Sequence, residues 1–317
     1  MSLFQLHKQA LCTGLLLLIA SAAQAGGSGS TLYVHCRSNY GLNSIGAALK
    51  ALQHSESSGP STINVSGACH ENVIIQSIDR LTLNAVNGAS VSDASGGKLD
   101  VIDILDSRDL AINGFSINAG SDGVSGANGI VCADWSSCRL SGNVIQGAGS
   151  GAGLSVAEAS LAALDGDTFQ NNNVGLDVRS GAKVRPGGAG RTITANNNGR
   201  GIQLVRGAFV FLQATIENSS DAGVAVQYQS TLELFSSSIT GSGSVGVSAS
   251  ESSFARFQGS NITGNAGSGV VLSDLSMGHF QTTTVKGNGA TDVVCNPQFS
   301  ATRGTNTIGG KTNCMEP

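Results

Sequence analysis

The stretch that decides the fold is "NITGNAGSGVVLSDLSM", residues 261–277. A polar, Asn-rich bend leads into Gly269, and "GVVL" follows it with alternating character. Variants of this phrase recur along the chain. "GIVC" starts at Gly129, "GLSV" at Gly153, "GLDV" at Gly175, "GIQL" at Gly201, "GVAV" at Gly223, "GVSA" at Gly246 and "DVVC" at Asp292. From Gly129, successive phrases begin 24, 22, 26, 22, 23, 23 and 23 residues apart. A near-constant period of this size marks a stacked repeat in which each unit buries its apolar face on its neighbours.

Within each phrase the residues alternate with the period of a β-strand. The fourth position reads Cys132, Val156, Val178, Leu204, Val226, Ala249, Leu272 and Cys295, which predicts a core-facing column. The third reads Val131, Ser155, Asp177, Gln203, Ala225, Ser248, Val271 and Val294, a set without shared character that predicts the outer surface. Two further columns are expected inside: Phe211, Leu234, Phe257 and Phe280, and Ile216, Ile239, Ile262 and Val285. Each buried Phe or Leu would contribute roughly 1.5–3 kcal/mol. Three residues after the second column come Ser219, Ser242, Asn265 and Asn288, with Asn172 and Asn196 placed likewise upstream. Asn and Ser suit tight corners because their side chains bond to nearby backbone.

The composition agrees. The 317 residues include 44 Gly but only 4% aromatic and 12% charged residues, which suits turns and short strands better than helices. Residues 1–25 have the layout of a secretory signal peptide: a weakly basic start, the apolar "ALCTGLLLLIA" and small residues around Ala25 for cleavage. The apolar run is too short for a membrane span, so the mature chain is expected in the periplasm or outside the cell. Setting aside Lys8 leaves 16 basic against 21 acidic residues, a balance that gives no reason to expect nucleic acid as a partner. Cys36, Cys69, Cys132, Cys138, Cys295 and Cys314 remain, an even number that reads as disulfides in an exported chain. Pairing neighbours in sequence is the favoured one of fifteen schemes. No CxxC occurs and His is scarce, so no zinc site is expected.

Coils of 22 to 26 residues, β-branched strands and Asn corners resemble the right-handed parallel β-helix of the pectin-lyase-like superfamily, over roughly residues 60–295. The expected fold is therefore all-β, a right-handed parallel β-helix solenoid with a short N-terminal capping helix. Residues 26–59 would form the N-terminal segment, where "NSIGAALKALQ" puts Ile45, Ala48, Leu49 and Leu52 on one helical face. Residues 60–317 would form the β-helix, closed at its far end by a disulfide.

The resemblance implies acidic polysaccharides as partners or substrates, with functional groups gathered on one outer wall. Asp177 and Arg179 share a strand and point the same way, so they are the catalytic candidates and a candidate uronate or Ca2+ site; Arg179 would take the proton in a lyase reaction. Arg179, Lys183, Arg185, Arg191 and Arg206, with Arg200, fall in the longest coil beside an inserted "PGGAG" and are candidate glycan-binding residues. "KLDVIDILDSRDL" offers Asp100, Asp103, Asp106 and Asp109 as oxygen ligands for calcium. "LDGDTF" brings Asp165 and Asp167 together, and Glu233, Arg256 and His279 form one outward column. "GSGSVG", from Gly241, matches a dinucleotide pattern but has no helix after it. Asp103 and Asp177 lie three coils apart, about 14 Å at one strand spacing per coil, too far for a hydrolytic pair. With no neighbouring acid pair and no acidic calcium cluster, the favoured reading is an exported, non-catalytic glycan-binding or envelope module. A polysaccharide lyase or related carbohydrate enzyme is the alternative.

Overall fold

The computed structural model describes residues 29–38, 41–54, 59–296, 300–303, 305–312 and 314. The expected signal peptide and its cleavage point near Ala25 lie outside them. The chain winds as a right-handed parallel β-solenoid, each full coil laying one short strand on each of three walls. Wall A is an eleven-stranded sheet that includes Ile130–Ala133, Ala152–Val156, Val174–Arg179, Arg200–Val205 and Val224–Val226. Wall B holds Lys183–Pro186, Phe209–Leu212, Thr231–Phe235, Phe254–Gln258 and Met277–Gln281. Wall C holds Ile193–Asn196, Ala214–Glu217, Ser238–Thr240 and their equivalents. Walls B and C belong to one sheet because the early strands Ser61–His70 and Leu81–Ser92 continue around the corner between them.

The repeated phrase sets the register. Leu154 pairs with Ile130 and Val156 with Cys132; the match continues coil by coil to Val293 on Val270 and Cys295 on Leu272. The leading glycine has a steric cause. A Cβ on Gly175 would lie 2.5 Å from the carbonyl oxygen of Gly201, and one on Gly201 2.5 Å from that of Gly223. Coils stack too closely at this corner for any side chain.

The inward columns are dry. Val156, Val178, Leu204 and Val226 are fully buried, as are Phe257 and Phe280, whose rings stack with centroids 5.4 Å apart. Ile216, Ile239, Ile262 and Val285 superpose as expected. One expected member does not. Leu212, not Phe211, pairs with Leu234, so that coil is 22 residues long at this point. A one-residue difference in strand register reverses the face. Phe211 therefore points outward, 39% exposed, and packs on Phe235 with centroids 4.8 Å apart.

Polar columns fill the corners. Asn172 Oδ1 accepts from the Ala148 amide, and the Asn172 amide donates to Asn198 Oδ1 at 2.9 Å. Ser242 and Asn265 repeat the link to Asn265 and Asn288. The upstream member is Asn198 rather than Asn196, which lies on wall C and pairs with Glu217. The long coil shifts the corner by two residues. A serine column not foreseen from the sequence marks the corner between walls A and B. There Ser136, Ser160, Ser230, Ser253 and Ser276 each accept from a backbone amide one coil back. The two residues before each of these serines adopt left-handed φ values of 49° to 64°, although none is glycine. That strain costs about 1 kcal/mol or more per residue, and the repeated serine bonds help offset it.

At the N-terminal end the helix Ile45–Gln53 buries Ile45, Ala48 and Leu49, with Leu52 packed at the edge of the core. Glu71 accepts from the Ile45 and Gly46 amides at 2.7 and 3.0 Å, satisfying orphan donors of the first turn. A strand absent from the sequence reading, Thr31–His35, pairs with Thr62–Ser66. The three disulfides join Cys36 to Cys69, Cys132 to Cys138 and Cys295 to Cys314.

This packing separates two phenylalanines. Phe257→Ala should lower the unfolding free energy by about 3–5 kcal/mol, as expected for a fully buried ring. Phe211→Ala should cost less than about 1.5 kcal/mol. Urea denaturation of both variants measures the difference, and equal losses would contradict the register described above.

Candidate functional site

The candidate site is a groove on wall A. Asp177 projects outward from the strand Val174–Arg179, between Ser155 on one neighbouring strand and Gln203 on the other. It is nevertheless only 2% exposed, unlike the open surface pair the sequence suggests. Corner residues rise on both sides: Asn128, Ser150 and Asn173 toward one end, Arg200, Ser220 and Asp221 toward the other. Together they enclose about 590 Å³. Gly151 and Gly199 form part of the lining because a Cβ on either would meet backbone oxygens of the adjacent coil at 2.1 and 2.4 Å.

Three polar groups define the floor. Arg179 Nη2 is paired with Asp177 Oδ2. Arg200 is held by Asp221 at 2.9 Å through Nε and by Gln203 Oε1 at 2.7 Å through Nη1. Asp177 Oδ1 is buried and receives no hydrogen bond. A buried carboxylate oxygen without a donor is costly. Burial first, and the Arg206 guanidinium second, lower the pKa of Arg179.

The groove continues along the solenoid axis. Gly126 and Asn128 also line an adjoining cavity of about 350 Å³ with Asn72, Lys98, Asp100 and Asp103. Asp103 belongs to the same outward column as Asp177, separated by Val131 and Ser155. Partial burial raises its pKa to about 6, with the charges of Asp100 and Asp134 adding to the effect.

A family model described as a right handed beta helix region matches residues 152–313. The chain belongs to that family. No curated protein sequence matches it. Among solved structures, this β-helix is similar to the A-module of the Azotobacter vinelandii mannuronan C-5 epimerase AlgE4, with a TM-score of 0.57 and 13% identity, covering 86% of this chain and 92% of that one. It is similar also to the periplasmic alginate epimerase AlgG, at a TM-score of 0.53 and 10% identity over 81% of this chain and 74% of that one. Pectate lyase Pel9A gives 0.51 and 12% over 90% and 79%. Identities this low establish a shared fold and nothing finer.

The β-helix scatters the basic residues of its longest coil. Arg179 and Arg200 line the groove, and Arg206 occupies the turn that leaves wall A, close enough to act on Arg179. Lys183 and Arg185 project from wall B. Arg185 lines a separate cavity of about 580 Å³ there with Arg139 and Asp165. Arg191, in the inserted loop, bonds Asp165 at 3.1 Å and Ser141 Oγ at 3.0 Å. A chain that changes wall every few residues cannot keep a sequence-local charge run on one face.

The four acids of the calcium candidate also separate. Asp100 accepts from Asn128 and Asp106 from Ser77, while Asp109 pairs with Arg139 at 3.0 Å. Among the described residues the sole close group of metal-type ligands is Cys36, Cys69 and Glu71, and its cysteines are disulfide-bonded. Glu233 and Arg256 form a 3.6 Å ion pair in register with His279 on wall B. "GSGSVG" is a corner with Gly241 at a φ of 70°. The groove residues Ser155 and Gln203 were visible as outward positions. Asn128, Asn173 and Asp221 were not, because corner residues follow no strand alternation.

Asp165 and Asp167 have structural roles. Asp167 is fully buried and accepts from the Asn143 amide at 2.9 Å, from Asn143 Nδ2 at 2.8 Å and from the Asp165 amide at 3.1 Å. Burial outweighs these bonds and raises its pKa to about 6. A carboxyl group with a raised folded-state pKa gives stability that is complete below its unfolded value near 4 and is lost as the pH rises through about 6. The contribution is about 3 kcal/mol at most. In Asp167→Asn, the fall in unfolding free energy between pH 4 and pH 7.5 should shrink by roughly 2–3 kcal/mol. Urea titrations at both pH values test this, and an unchanged fall would show that Asp167 does not titrate in this window.

Proposed function

We propose that this exported β-helix binds an acidic polysaccharide along the wall A groove without cleaving it. The observation that carries the reading is the buried, unpartnered Asp177 Oδ1 on a floor flanked by Arg179 and Arg200. A uronate residue presents the complementary groups. Once the side chains over Asp177 part, a ring hydroxyl can donate to its buried Oδ1, and the uronate carboxylate meets the guanidinium groups, which suit planar anions. Repetition along the axis fits a polymer, since the groove runs across several coils from Asp103 to Asp221. Similar folds carry proteins named for mannuronan, alginate and pectate, which supports this class of partner without fixing its identity.

Spacing disfavours Asp103 and Asp177 as a hydrolytic pair. Within their shared column Asp103 and Asp177 are separated by three coils, roughly 14 Å, against the 5–9.5 Å or so that two-carboxylate glycoside cleavage uses. A lyase is the second reading, in which Arg179 takes the proton beside the uronate carboxylate as the glycosidic oxygen leaves the adjacent carbon; partial burial and Arg206 lower its pKa in that direction, while its pairing with Asp177 opposes it. Export agrees with the three disulfides, which persist in oxidising compartments. Among the described residues, no helix is long and apolar enough to cross a membrane.

Affinity electrophoresis through alginate or pectate, with and without calcium, tests the proposal. The mature protein should be retarded, and less so as salt rises. Arg200→Ala and Asp177→Ala should each weaken retention by about tenfold, equivalent to roughly 1.4 kcal/mol. Ultraviolet absorbance should reveal no unsaturated product. Unretarded migration on every polyuronate would overturn the binding reading; unsaturated product abolished by Arg179→Ala would establish the lyase instead.

A further inference from the structure

Wall B carries a second surface that the groove does not explain. Upstream its outward positions carry no aromatic residue: Arg139, Leu161, Ala163, Lys183 and Arg185. Downstream they become aromatic. Phe209, Phe211, Phe235 and Phe254 all project from this wall, with Met277 beyond them. They account for four of the chain's ten phenylalanines. The interior gains nothing from them, since Val210, Leu212, Leu232, Leu234, Ala255 and Phe257 already fill it from the same strands. Phe211 and Met277 are exposed and the other three half-buried, and a half-exposed aromatic cluster on an otherwise regular wall marks an interaction surface.

The centre of this surface is charged and self-complementary. Glu233 and Arg256 occupy one column on adjacent coils, with Phe211 before them and His279 after. Arg256 Nε is buried without a hydrogen-bond partner. We propose that wall B pairs with wall B of a second copy of this chain. The dyad lies in the face, parallel to the strands, midway between the coils of Glu233 and Arg256. That operation reverses the order of the coils and preserves position along each strand. Glu233 then faces the second copy's Arg256, Phe209 faces its Met277, and Thr231 faces its Phe254. Every contact occurs twice, as an isologous interface requires.

The dimensions set the strength. Four coils at about 4.8 Å and strands of about five residues at roughly 3.3 Å give a footprint of approximately 300 Å². Side-chain relief enlarges the contact, and the exposed Tyr228 and Leu275 extend it along the neighbouring turn ridge. It still falls short of the roughly 800 Å² per partner of a standard interface. The dimer is therefore a weak one that assembles at high protein concentration.

Sedimentation velocity of the mature chain from about 1 to 300 μM reads the equilibrium, with circular dichroism confirming that each variant folds. The wild type should shift from monomer toward dimer across this range. Phe209→Asp and Glu233→Arg should each weaken association by about tenfold or more. The double variant E233R/R256E should restore it, because the swapped charges meet again across the dyad. The proposal fails if the wild type stays monomeric throughout, if Phe209→Asp leaves the dimer intact, or if the double variant associates no better than Glu233→Arg. It fails equally if Phe209→Asp abolishes polysaccharide retardation while the wild type remains monomeric, which would assign the aromatic face to glycan. Apart from the retardation readout, none of these outcomes depends on the wall A groove.

Discussion

The close stacking of successive coils governs this molecule. At one strand spacing, about 4.8 Å, backbone meets backbone with room for a side chain only above or below a wall. The glycine that opens the repeated phrase from Gly129 to Gly269 follows directly, since any Cβ there strikes the next coil's carbonyl. At Asp292, the last occurrence of the phrase, the glycine requirement ends and the aspartate instead accepts from Asn288 and Gly310. The same spacing makes every inward position part of a column. A Val or Phe is stabilised by its equivalents above and below, and a substitution affects three coils.

Much of this was legible in the sequence because period-two alternation and the coil period are both carried by residue type. The inward fourth position and the Ile216 to Val285 column follow from that pattern, whereas the helix over Ile45–Gln53 follows from its apolar face and the disulfide pairing from nearness in sequence. The failures share a cause. Phe211 was assigned inward on a uniform 23-residue step, but the coil beginning at Phe209 runs one residue short. Asn196 was assigned to the corner column in a coil lengthened by the inserted loop, where Asn198 takes the place. Coil length changes at corners, and corner geometry leaves no periodic trace. The strand Thr31–His35 was missed for a related reason: it precedes the first full repeat, so no second copy of its pattern exists nearby.

The site was partly legible for the same reason. Asp177 and Arg179 were identified as outward neighbours on one strand. That Asp177 would be buried was not, because the residues enclosing it, Asn128, Asn173 and Asp221, stand at corners many residues away in sequence. The basic run is dispersed by the winding of the chain. Arg179, Lys183, Arg185, Arg191 and Arg206 are close in sequence, yet winding distributes them over walls A and B and the intervening corners. In a solenoid, residues one full coil apart are neighbours, whereas residues five apart face different directions.

Two buried aspartates show how structure and function separate in such a fold. Asp167 lies inside a corner and accepts three hydrogen bonds from its own and the adjacent coil. Asp177 lies outside a wall, keeps one buried oxygen unpartnered and lines a groove with two arginines. The first carboxylate completes the stack and would be disturbed by any ligand. The second gains a donor only from something that enters. Because inward columns alone hold the coils together, outward positions can change from coil to coil without loss of the fold. Wall A can then hold a polar groove while wall B, on the same coils, carries an aromatic face. The proposed binding along wall A would accordingly grow with the number of sugar residues spanning consecutive coils, since each added coil contributes its own outward groups at a fixed interval.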